Sequence, residues 1–111
     1  MDEELLRLRI KSAIDHIDKV IKDLKDMSLE DFKKSDLLCR AVSFSVMQIG
    51  EQLGRLYDKY GDLYPNIEWN KAKFMRNMIA HDYINVNLDR VYSTVKNDLP
   101  ELKDQLQSLL D

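Results

Sequence analysis

Apolar residues recur at three- and four-residue steps along most of this chain. Leu5, Leu6 and Leu8 lead into Ile10, Ala13, Ile14, Ile17, Val20, Ile21 and Leu24, the stripe of an amphipathic helix. Lys11, Asp15, Asp18, Lys22 and Lys25 fall on the other side, where i,i+4 pairs add only ~0.2–0.5 kcal/mol each. Ser28-Leu29-Glu30-Asp31 resembles a capping box with Asp in place of Glu, and predicts a short helical turn through Phe32 and Lys34. Ser35-Asp36 is a second start signal.

The element that follows is long, from about Asp36 to Tyr60. Its apolar set is Leu37, Leu38, Ala41, Val42, Phe44, Val46, Met47, Ile49, Leu53, Leu56, Tyr57 and Tyr60. That set covers more than one stripe, and a helix apolar over so much of its girth buries two faces. In a chain of 111 residues the second face is expected to meet another subunit, so a homodimer is predicted. Gly50 and Gly54 lie one turn apart inside this helix, where each costs ~1 kcal/mol against alanine; close helix approach would offset that cost. Glu51, between them, is placed where it could face a cleft, although a solvated glutamate is the default reading.

Gly61 is placed to end the long helix as a C′ glycine, and Pro65 biases Tyr64 away from helix. Asn66 or a near neighbour starts a third long element, with Ile67, Trp69, Phe74, Met75, Met78 and Ile79 on its apolar side and its end near His81. Phe74, Met75 and Met78 are expected in the core. Asp82 to Val86 reads as a connection, and Asn87 as the N-cap of the last helix. That helix carries Leu88, Val91, Tyr92, Val95 and Leu99 until Pro100 interrupts it. Asp98-Leu99-Pro100-Glu101 looks like a fresh capping box, and Leu102, Leu106, Leu109 and Leu110 continue the apolar face. The pattern predicts one all-α domain over 1–111, an up-and-down bundle of four or five helices.

Composition narrows the function classes. Charged residues make up 33% and hydrophobic residues 44%, with three glycines and two prolines, which favours helices over a sandwich or barrel. A net charge of −3 argues against a general nucleic-acid coating protein, so any contact with nucleic acid must be local. The lone Cys39 excludes a disulfide within the chain and fits a reduced, cytoplasmic setting. The acidic start Met1-Asp2-Glu3-Glu4 is unlike a signal peptide, and no apolar run approaches the ~18 residues that a membrane span needs. His16, beside core positions of the first helix, reads as an ordinary helix histidine. Nothing matches metal-ligand spacing, so neither a metal nor another cofactor is expected.

The dense chemistry lies in Arg76-Asn77-Met78-Ile79-Ala80-His81-Asp82-Tyr83. Arginine is permanently charged and forks onto phosphate oxygens. Histidine titrates near neutrality and moves a proton either way. Together they can stabilise and protonate a phosphodiester under attack. Asn77 supplies a neutral donor and acceptor, and Tyr83 a hydroxyl and an aromatic face on which a base can stack. On a regular helix Arg76 and His81 lie about 140° apart. They converge if the helix loosens at Ala80-His81, or if a two-fold axis brings two copies to one cleft.

This segment resembles the Arg-x4-His-x-Tyr signature of HEPN-domain proteins, specifically the HepT-like toxins. Ile49-Gly50-Glu51 resembles the family's central-helix segment. Pro65, Ile67 and Trp69 resemble its Pro-x-Ile-x-Trp lead-in, and Leu99-Pro100-Glu101-Leu102 its C-terminal helix. The resemblance implies a homodimeric helical bundle with the motif at the dimer cleft. It implies an RNase toxin of a type II toxin–antitoxin system, with an RNA substrate and an MNT-type nucleotidyltransferase antitoxin as partner. Arg76 and His81 map onto the catalytic pair, with Asn77 orienting His81 or the phosphate. Tyr83 maps onto the tyrosine to which the antitoxin transfers AMP.

Two other classes stand beside that reading. In one, the chain is a non-catalytic, nucleotide-binding subunit of a nucleotidyltransferase pair, with Tyr83 as AMP acceptor; the acidic net charge favours it. In the other, it is a helical dimer used only as an interaction module.

Overall fold

The computed structural model describes residues 2–80 and 86–111. Its elements are α1 (Asp2–Asp23), α2 (Leu29–Lys34), α3 (Asp36–Tyr60), a 3-10 turn (Gly61–Leu63), α4 (Trp69–Ala80), α5 (Leu88–Ser93), a π turn (Thr94–Asp98) and α6 (Leu99–Leu110). No strand occurs among the described residues, and the chain is an all-α bundle. None of the described helices is long and apolar enough to cross a membrane.

Side-chain caps set three of the helix starts. The Ser28 hydroxyl accepts from the Asp31 N–H at 3.1 Å, Ser35 from Leu38 at 3.2 Å, and the Asn87 side chain from Arg90 at 3.1 Å. Each satisfies an amide that the first turn leaves without an intrahelical partner.

One core joins the helices. Ile10, Ala13, Ile17 and Val20 of α1 pack with Val42, Val46, Ile49, Leu53 and Leu56 of α3, and with Leu99, Leu102 and Leu106 of α6. Phe32 is fully buried and brings α2 under the ring of Tyr92. The α1 C-terminus is held by the last helical segment. Lys96 donates to the Leu24 and Lys25 carbonyls, where a cation also complements the helix dipole, and the Tyr92 hydroxyl donates to the Met27 carbonyl at 2.6 Å.

Four expectations need correction. The third long helix begins at Trp69, not near Asn66. The chain from Tyr64 turns first, with Ile67 N–H donating to the Tyr64 carbonyl and Trp69 N–H to that of Ile67. Gly61 does end α3, as its C-cap, but not in the left-handed conformation of a C′ glycine. Its φ is −57° and it continues into the 3-10 turn. Glycine is needed there because a Cβ would collide with the Tyr57 ring. Pro100 is not preceded by a working capping box, for Asp98 makes no side-chain cap. Instead the helix widens, and the Leu99 N–H reaches the Thr94 carbonyl. A π turn relieves the clash between a proline ring and the carbonyl four residues back. Finally, Phe74 is not core. Met75 is buried, but Phe74 is 41% exposed and lies under the Arg90 guanidinium, 4.1 Å from its ring centroid.

Candidate functional site

The site is built on the crossing of α3 and α4. The two helices run antiparallel, since Gly50 faces Ala72 and Arg76 while Tyr57 faces Trp69. A Cβ on Gly50 would sit 2.8 Å from the Arg76 amide nitrogen and 3.0 Å from the Ala72 carbonyl oxygen. Only glycine lets the α4 backbone come so close. The same approach explains why a helix-weakening residue stands mid-helix.

That closeness carries the Arg76 side chain out over α3. Its Nε lies 2.6 Å from Glu51 Oε2, and its Nη1 lies 3.9 Å from where a Gly54 Cβ would be. Gly54 therefore leaves room for the guanidinium without being required by it. The arginine is 51% exposed and the glutamate 35%. Such a pair contributes under ~1 kcal/mol to stability, so its importance is orientation. It aims a permanent cation along the seam while leaving the Nη groups open to a second anion.

On the Gly54 side the seam opens into a pocket of about 320 Å³. Gly54, Tyr57 and Asp58 of α3 line one wall, and Trp69, Asn70, Lys73 and Arg76 of α4 the other. The four α4 positions span about 120° of arc on a regular helix, so one face of α4 supplies the whole wall. Trp69 is nearly buried, and its indole N–H donates to the Tyr64 carbonyl at 2.9 Å. The Tyr57 ring packs on it at 5.9 Å in a tilted arrangement, lies against Gly61 at one edge, and stays half exposed.

Upstream of the pocket, polar contacts to α6 fix the start of α4. The Glu68 N–H donates to the Gln105 side-chain oxygen at 2.9 Å, and the Gln105 amide donates back to the Glu68 carboxylate at 2.8 Å. The Lys71 ammonium lies 2.9 Å from Glu68, 3.7 Å from Asp98 and 3.4 Å from Glu101. The hydrogen bond from Lys71, and then that from Gln105, hold the Glu68 carboxyl below its ordinary range. The bond to Glu68 raises the lysine in turn, against a smaller opposing effect of burial.

Of the residues singled out in sequence, the structure places Arg76 at the pocket rim. Asn77 is exposed, about 100° around the helix from Arg76, and does not line the pocket. His81 and Tyr83 lie outside the described residues, as does most of the Asp82–Val86 connection. Sequence reasoning passed over Asp58, Asn70 and Lys73, counted Tyr57 only among the apolar residues of α3, and gave Glu51 no partner. The usable signals were the Gly-x3-Gly spacing around Glu51 and the four-residue step from Trp69 to Lys73.

Comparison with known proteins decides the family. A family model described as "Ribonuclease HepT-like" matches residues 10–109. This chain belongs to the HepT-like ribonuclease family.

The HepT-like match covers the whole α3–α4 crossing. A protein named "Putative RNase" from Caldanaerobacter subterraneus subsp. tengcongensis is 31% identical over 91 residues, covering 82% of this chain and 81% of that protein. Another with the same description, from Methanocaldococcus jannaschii, is 27% identical over 110 residues, covering 99% and 95%. A "Probable ribonuclease HepT" from Thermococcus cleftensis is 30% identical over 90 residues, covering 73% and 82%. No solved structure matches the chain significantly.

Proposed function

We propose that this HepT-like protein is the RNase toxin of a type II toxin–antitoxin pair and cuts RNA by transesterification with Arg76 and His81. The observation that carries the reading is the placement of Arg76. An exposed guanidinium is pinned by Glu51 at the rim of an open pocket, in a chain of a ribonuclease family.

In the proposed reaction the ribose 2′-oxygen attacks the adjacent phosphorus. His81 takes the 2′-OH proton as general base, and the P–O5′ bond breaks. A proton returns to the leaving 5′-oxygen, from histidine acting as acid. The products are a 2′,3′-cyclic phosphate and a 5′-hydroxyl. Arg76 stabilises the charge that gathers on the phosphorane-like transition state, and Asn77 orients His81 or the phosphate. A positioned acid or base is worth ~10²–10⁴-fold in rate. These residues can carry the reaction without a metal ion.

The reading includes a homodimer. Leu37 and Phe44 of α3 are 71% and 54% exposed. They stand seven residues apart, and Phe44 stands seven before Glu51, so Leu37, Phe44, Glu51 and Asp58 form one stripe. A second copy on the apolar half of that stripe brings two Arg76 sites towards one cleft. It also includes an MNT-type nucleotidyltransferase antitoxin, which silences the toxin by transferring AMP to Tyr83.

The test is the chemistry of the cut ends. RNA incubated with the purified protein and a chelator should yield 2′,3′-cyclic phosphate and 5′-hydroxyl termini. Ends bearing 5′-phosphate, or loss of cleavage with the chelator, contradict the reading.

A further inference from the structure

The proposed cleavage chemistry uses Arg76 but leaves the rest of the adjoining pocket without a role. Its volume of about 320 Å³ falls at the small end of the roughly 300–1,000 Å³ usual for ligand pockets, a size for one nucleotide unit. Tyr57 is 48% exposed, backed by Trp69, and presents a ring against which a flat base can stack. Lys73 and Arg76 stand one turn apart on the rim and give the cationic side that a phosphate needs. Asp58 from α3 and Asn70 from α4 face the space from opposite walls. The side chains of Tyr57, Asp58, Asn70 and Lys73 make no hydrogen bond or ion pair among the described residues, so their bonding capacity is unspent.

We propose that this pocket seats one nucleotide of the RNA beside the scissile phosphate and selects a base that carries an exocyclic amine. The inference rests on the ribonuclease reading and deepens it. An ionised carboxylate only accepts hydrogen bonds. At the exocyclic edge Asp58 therefore rewards the amino groups of adenine, cytosine or guanine, whereas uracil presents a carbonyl oxygen there and has only its ring N3–H to donate. Stacking on Tyr57 holds any base, so the aromatic ring gives affinity and Asp58 gives choice. Arg76 joins the two events, because the cation that steadies the reacting phosphate also closes the base pocket.

Trp69 is the only tryptophan and forms the pocket wall, so its fluorescence reports occupancy. The probes are short 2′-O-methyl oligoribonucleotides of A, C or U, which lack the attacking hydroxyl and are not cut, together with free AMP. The A and C oligomers should quench Trp69 saturably, with the U oligomer bound about tenfold more weakly. Tyr57→Ala should weaken A and C binding about fivefold or more, while Tyr57→Phe retains it. Asp58→Asn, at an exposed position, should bring U level with A and C.

Equal affinity for the three oligomers in the wild type overturns the proposal, as does Tyr57→Ala binding like wild type. Free AMP bound as tightly as the A oligomer also overturns it, since the pocket would then serve a free nucleotide. If these results come with normal cleavage of unmodified RNA, the pocket assignment alone fails. If unmodified RNA is neither bound nor cut, the ribonuclease reading fails with it.

Discussion

Glu51 Oε2 lies 2.6 Å from Arg76 Nε, across the point where the α4 backbone passes Gly50. The pair is too exposed to matter much for folding. It fixes which way the guanidinium points, and in the proposed cleavage a small misplacement of that group is expensive in rate. Glu51→Ala should therefore lower RNA cleavage about tenfold or more while shifting unfolding by less than ~1 kcal/mol. Parallel kinetics and denaturant melts on the purified variant check the contrast.

The two α3 glycines should respond oppositely to alanine. At Gly50 the new methyl meets α4 backbone atoms at 2.8–3.1 Å, so the helices must part, at about 1–3 kcal/mol. At Gly54 the nearest atom is the tip of Arg76, at 3.9 Å. Alanine fits there and recovers up to ~1 kcal/mol of helix propensity. Chemical denaturation of the two variants measures both signs.

Acid should loosen the start of α4. The Glu68 carboxyl is held below its ordinary value of 4.5 by Lys71 and Gln105. Its contribution is complete above pH 4.5 and is lost as pH falls through the lower folded value. Lys71 is raised above 10.5, so its contribution is complete below that pH and is lost as pH rises through the higher folded value. The melting-temperature gap between wild type and Glu68→Gln should be flat from pH 5 to 8 and narrow in acid. Thermal melts from pH 8 down into acid below the ordinary carboxylate value check it.

Much of the fold was legible because it rests on local rules. Ser28, Ser35 and Asn87 cap helices where their spacing predicted, and α3 runs from Asp36 to Tyr60 as its apolar pattern required. What sequence alone missed depends on neighbours. Gly61 ends α3 where expected, but its right-handed conformation and its run into a 3-10 turn were not legible, nor was the widened turn that accommodates Pro100. Phe74 reads as core by periodicity, yet sits on the side of α4 that meets Arg90 instead of the interior. Glu51 looked solvated because its partner is 25 residues away. Only the Gly50 crossing brings them together.

The most direct measurement is RNA cleavage by equal amounts of wild type, Arg76→Ala and His81→Ala, each first shown to be folded by circular dichroism. Wild type should cleave, and each variant should lose about 10²-fold or more. Equal cleavage by all three would contradict the proposed mechanism.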